Sequence, residues 1–170
     1  RLQTGYIDLY QLHGGTIDDP IDETIEAFEQ LKQQGKIRHY GISSIRPNVI
    51  REYIKRSAIV SVMMQYSLVD RRPEETILDL LKQNNIAVLA RGVLAQGLLV
   101  NKAAKEYLTY TKEEIAEASK VIHAISGTHR SPAQTAIQYV LHHPAVTSAV
   151  TGIRSKEQLK EVTAAGLPLQ

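Results

Sequence analysis

The stretch Tyr6-Ile7-Asp8-Leu9-Tyr10-Gln11-Leu12-His13-Gly14-Gly15 sets the problem of the fold. Residues 6–12 have the branched and aromatic content of a strand. The run stops at an imidazole and two glycines, where the backbone is free to turn. A strand that only fills a core has no use for a histidine at its end. His13 is either a solvated loop residue or a member of a site, and the later strands decide which.

The same order of elements recurs along the chain. Asp19-Pro20 is expected to open a helix, with Asp as its cap and Pro in its first turn. Ile21, Ile25, Phe28 and Leu31 share one face of that helix, and Gly35 ends it. Further strands are predicted at 37–43, 59–66, 86–90 and 145–150. Helices are predicted from Pro47 to about Arg56 and over 73–84, followed by a long loop from Arg91 to Tyr110. Thr111 with Glu114, Ser131 with Gln134, and Ser155 with Gln158 mark three more helix starts. Gly127 closes the first of these three, and the last is expected to end near Gly166.

The strands are rich in Val, Ile and Leu without alternation, which predicts a parallel sheet buried on both faces. About five βα units in a row fit an open doubly wound sheet or part of a closed barrel. The open sheet usually announces its nucleotide site with G-x-G-x-x-G after the first strand, and no such motif occurs. Instead, polar residues end successive strands: His13, Ser43-Ser44, Gln65, Arg91 and Gly152. In a barrel these ends converge on one mouth. The expected fold is therefore α/β: a (β/α)8 TIM barrel of which this chain holds about five units in a single domain.

Composition narrows the function. The net charge of +2 gives no field that would draw nucleic acid or an acidic membrane. The absence of cysteine removes disulfides, thiolate nucleophiles and Cys-ligated zinc. No stretch is apolar and long enough to span a bilayer, and a cytoplasmic protein is expected. His39, His123 and His129 lack metal-ligand spacing, while His142-His143 stand at a helix end before Pro144, so no metal site is expected.

Each polar end also has a structural reading. Gln65 can be a satisfied buried amide, and Ser43-Ser44 can simply lead into the next helix. Arg91 ends the apolar run Ile86-Ala87-Val88-Leu89-Ala90, so it should face an anion, a π-system or water. In Val150-Thr151-Gly152-Ile153-Arg154-Ser155-Lys156-Glu157-Gln158, a glycine precedes a helix start flanked by two cations. Free N–H groups and the positive dipole end would suit a phosphate there. The alternative is a capped surface helix with incidental cations.

The stretches "YIDLYQLHGG", "LKQQGKIRHYGISS", "MMQYSLVDRR", "LARGVLAQGLL" and "SPAQTAIQYVLHHPAVTSAVTGIRSKEQLKEV" together resemble the aldo-keto reductase family. That resemblance implies a barrel that binds NADP(H) in extended form and reduces small carbonyl substrates. It places the catalytic histidine at His13. It implies that Ser43 and Gln65 hold the nicotinamide carboxamide, with Arg91 where an aromatic often stacks on the ring. Gly92, Leu94 and Gln96 would wrap the pyrophosphate. Gly152, Arg154, Ser155, Gln158 and Glu161 would hold the 2′-phosphate and adenine. Ser44 and Val162 stand where many members have Asn. The family's Asp, Tyr and Lys belong to earlier strands, so the chain is expected to be the C-terminal portion of a barrel, without its first strands and final helix. Alone it is expected to be inactive, with its open sheet edges covered by the missing barrel half or a partner chain. A redox-sensing subunit like the potassium-channel β subunits is the rival reading, and an unrelated phosphate-binding barrel a third.

Overall fold

The computed structural model describes residues 2–166. Five strands pair in parallel in chain order: β1 (Ile7–His13), β2 (Ile37–Ser43), β3 (Ser61–Gln65), β4 (Ala87–Arg91) and β5 (Val146–Val150). Between them run α1 (Ile21–Gln33), α2 (Pro47–Arg56), α3 (Ile77–Gln83), α4 (Lys112–Ser126) and α5 (Pro132–Leu141), and α6 (Lys156–Ala164) follows β5. This is the five-unit arc of a (β/α) barrel that the strand succession predicts.

Alternate residues of a strand point to opposite faces. Tyr40, Ile42, Val62, Met64, Val88 and Ala90 take one face and are fully buried. They share a core with Val49, Ile50 and Tyr53 of α2, Leu78 and Leu81 of α3, and Ile137 and Val140 of α5. A second cluster folds the long loop down: Leu98, Leu99 and Tyr107 pack with Ile115 and Ile122 of α4.

Several sequence expectations need correction. Asp19 does not cap α1; its carboxylate accepts from Thr16 N at 2.7 Å and closes the turn after β1. The helix predicted over 73–84 is broken. A 3₁₀ turn, Arg72–Glu75, precedes α3, and Thr76 between them has φ −150°. The break turns Leu78 fully inward, whereas Leu80 is only partly buried. Burial on both faces holds for central β3; the outer strands β1 and β5 keep exposed positions. The boxes at Thr111/Glu114 and Ser131/Gln134 form as expected, with both reciprocal bonds made.

One polar cluster ties the layers together. The Glu74 carboxylate accepts from Tyr66 Oη at 2.9 Å, from Tyr139 Oη at 2.7 Å and from Arg71 Nη2 at 2.7 Å. It thereby joins the end of β3, the 3₁₀ turn and α5. The Arg71 bonds, then the two phenol donors, hold the Glu74 carboxyl at about 2. Burial, and next the bond to Glu74, push the Tyr139 phenol up to about 12. A carboxyl depressed by folding stabilises the fold above its unfolded value and loses that contribution as it is protonated. Stability is thus expected to fall between pH 4.5 and about 2. E74Q is expected to cost about 2 kcal/mol at neutral pH and to remove that acid-side slope. Urea titrations of both proteins across the window check this, and parallel slopes would exclude it.

Candidate functional site

The strand register builds the site. His13 pairs with Ser43, and Ser43 with Met63. Two residues further along, Gln65 pairs with Arg91, and Arg91 with Val150. Paired neighbours and residues two apart point to the same face. His13, Ser43, Gln65 and Arg91 therefore share one face at the carboxyl edge of the sheet, opposite the face that meets the helices. Gly152 follows two residues after Val150. The polar strand ends thus gather on one rim, as the barrel reading requires.

Their surroundings differ. The His13 side chain is exposed and makes no hydrogen bond among the described residues, while Gly14 N donates to Ser43 O at 3.0 Å. Ser43 is half-buried. Ser44 is buried, and its Oγ accepts from Arg46 N at 3.1 Å, a local turn leading into α2. Gln65 is 7% exposed, and both ends of its carboxamide are engaged. Its Oε1 accepts from Arg91 Nη1 at 3.0 Å and its Nε2 donates to Tyr107 Oη at 3.1 Å. Arg91, at the exposed end of β4, faces this amide oxygen.

Beyond Arg91 lies a cavity of about 580 Å³. One wall is the loop after β4, with Gly92, Leu94, Gln96, Asn101 and Lys102. The other follows β5, with Gly152, Arg154, Gln158, Glu161 and Val162. Seven residues assigned to the cofactor by resemblance line it: Gly92, Leu94, Gln96, Gly152, Arg154, Gln158 and Glu161. Ser43, Gln65, Arg91 and Ser155 stand outside it.

The first wall is a strained loop. Gly92 (φ 71°), Ala95 (φ 45°), Gln96 (φ 59°) and Gly97 (φ 90°) all adopt left-handed backbone. Ala95 and Gln96 bear that conformation at a cost of about 1–3 kcal/mol each. Such strain clusters where backbone must approach a ligand. Glycine is required at 92 for a second reason: a Cβ there would lie 3.2 Å from Gln65 Cγ.

The second wall is a helix start. Ser155 Oγ accepts from Gln158 N at 3.2 Å, and Gln158 Oε1 accepts from Arg154 N at 2.8 Å. The bond of Glu157 to its own backbone N–H, then that to Ser155, holds its carboxyl below the usual range. Two N–H groups of the opening, those of Arg154 and Gln158, are thus engaged by its own side chains. Gln134 Nε2 donates to Glu161 O at 3.1 Å and Gln138 Nε2 to Ala165 O, fastening α6 to α5.

Sequence reasoning missed Lys102, Asn101 and Tyr107. Lys102 carries a signal like that used for Arg91, a cation one residue beyond the apolar run Leu98-Leu99-Val100, with Asn101 between them. Its side chain lies over Gly97, where a Cβ would approach Lys102 Cδ and Cε at 3.4 Å. Among the described residues no cluster of three His, Asp or Glu could hold a metal ion. No helix among them is long and apolar enough to cross a membrane.

A parallel barrel arc with its polar residues collected at the carboxyl edge defines the class: a (β/α)-barrel protein with its site in the β→α loops. The chain belongs to the aldo/keto reductase family, whose model matches residues 1–170, and it is accordingly of an oxidoreductase family. It is 55% identical over 170 residues to an uncharacterized oxidoreductase, YqkF, of Bacillus subtilis, covering 95% of this chain and 55% of that protein. It is 27% identical over 181 residues to the NADH-specific methylglyoxal reductase of Escherichia coli, covering 97% of this chain and 56% of that protein. The holo form of an aldo-keto reductase from Bacillus halodurans superposes with a TM-score of 0.86 at 51% identity, over 99% of this chain and 57% of that one. The chain spans about half the length of the curated relatives it matches.

Because Gly92 combines a φ of 71° with the Gln65 contact, G92A is expected to cost about 1–2 kcal/mol. Urea unfolding measures it, and an unchanged midpoint would remove the close-packing argument.

Proposed function

We propose that the protein to which this chain belongs is an NADP(H)-dependent reductase of small aldehydes and ketones, with the cofactor lying along the cavity. The observation that carries the reading is the shared cavity, where two separate segments contribute seven of the residues assigned to the dinucleotide. Its donor set fits that ligand. Gly92 lets backbone approach a pyrophosphate, and Gly152 lets it approach the adenosine end. Lys102 and Arg154 bring two cations to one cavity that also has Gln158 and Glu161 for a polar base. Arg154 with Lys156 supports a 2′-phosphate on the adenosine, although one relative carries NADH in its name.

When bound, NADPH would supply the hydride for carbonyl reduction. His13 hydrogen-bonds the carbonyl oxygen and helps to stabilise the charge that develops there. Ser43 and Gln65 would hold the nicotinamide carboxamide and so fix the orientation of the ring. Proton donation to the alkoxide falls to a tyrosine outside these 170 residues, so the chain alone reduces no carbonyl. The same reading has the open edges of β1 and β5 covered by the rest of the barrel.

Two measurements test the proposal. In fluorescence titrations, Arg154→Ala is expected to weaken NADPH about tenfold, the loss of one charge-assisted contact, and to leave NADH little changed. Equal loss for both would refute the 2′-phosphate assignment. With a generic aldehyde, NADPH oxidation is expected for the full-length protein, on the order of 100-fold less for H13A, and none above blank for the 170-residue chain. Turnover by the short chain would overturn the division of roles.

A further inference from the structure

Gln65 is held by two partners whose chemistry leaves it one orientation. Arginine has donors and no acceptor, so the Arg91 guanidinium must meet the amide oxygen of Gln65. The amide nitrogen is then turned to Tyr107 Oη, 3.1 Å away. Two N–H and two lone-pair positions exist on a carboxamide. One of each is taken, and one N–H and one lone pair are left for a ligand.

Tyr107 is itself built in. It is 9% exposed, and its ring packs in the cluster with Leu98, Leu99 and Ile115. Its backbone forms a two-bond bridge with Tyr110, N to O at 3.1 Å and 3.0 Å in the two directions. Leu108 between them adopts φ 56° to close that turn. Gly92 leaves the room: a Cβ there would press on Gln65 Cγ at 3.2 Å and lie 3.6 Å from Tyr107 Oη. Burial, and next the charge of Asp70, raise the Tyr107 phenol above its ordinary value, so it stays neutral.

We infer that Tyr107 is a positioning residue for the nicotinamide end of the site, acting through Gln65: it fixes which way the Gln65 carboxamide points and therefore which amide atoms meet the cofactor. This rests on the cofactor reading above. It goes further by giving the long loop after β4 a second task. Its first half lines the cavity, and its second half orients a strand residue outside that cavity.

The test compares NADPH with adenosine 2′,5′-bisphosphate, which lacks the nicotinamide, using full-length protein. Tyr107→Phe is expected to weaken NADPH about fivefold, the worth of one neutral hydrogen bond, and to leave the bisphosphate unchanged. In a Gln65→Ala background the same substitution is expected to have no further effect, because the pair acts as one unit. Equal loss for both ligands, no loss, or full additivity with Gln65→Ala would overturn the inference while leaving the cofactor reading intact. Wild-type protein that binds the bisphosphate but no dinucleotide would bring down both. Should Tyr107→Phe fail to fold, NMR of wild-type protein labelled with ¹⁵N-glutamine decides. The Gln65 amide proton bonded to Tyr107 is expected to exchange slowly with solvent, and free exchange of both protons would refute the fixed orientation.

Discussion

Parallel pairing is the constraint on which the rest of this structure depends. Antiparallel neighbours would send their polar ends to opposite edges. Here every strand leaves the sheet in the same direction, so strand pairing alone brings His13, Ser43, Gln65 and Arg91 to one rim. The helices that return the chain bury the other face, and the buried Tyr40, Ile42, Val62, Met64, Val88 and Ala90 hold the register. A slip of one residue would put polar ends into the core and core residues on the rim. The site is thus enforced by the same burial that holds the fold.

The chemistry then divides between rigid and irregular parts. Strand ends supply imidazole, hydroxyl and carboxamide at heights set by pairing. The loops after β4 and β5 supply the cations and the close-approach glycines. Three left-handed non-glycine residues in the first of these loops, Ala95, Gln96 and Leu108, show that its path is imposed by its surroundings, since local preference opposes it. The second cluster, centred on Leu98, Leu99 and Ile115, provides that imposition.

Much of this was legible in the sequence. Runs ending in polar residues located the strands and their shared edge. Thr111 with Glu114 and Ser131 with Gln134 located two helix starts, because a reciprocal cap is a local device. What escaped was set by contacts distant along the chain. Asp19 looked like a cap, but Thr16 offered its carboxylate a nearer turn. The break at Thr76 follows from the chain's path into the 3₁₀ turn that Glu74 anchors to Tyr66 and Tyr139. Tyr107 is 42 residues from Gln65, and no spacing rule links them. The Ser155 start was recognised as a cap, yet the bond that Gln158 Oε1 accepts from Arg154 N depends on a rotamer.

Helix α6 buries none of its side chains fully, Val162 packs only partly against the core, and two glutamines of α5 moor the helix by their amides to the carbonyls of Glu161 and Ala165. A panel so lightly fastened gains little rigidity from the core behind it. An anionic guest laid against Arg154 would itself become the principal tether. Part of its gross attraction would then be absorbed in stilling that panel, so occupancy and the ordering of α6 would be thermodynamically linked.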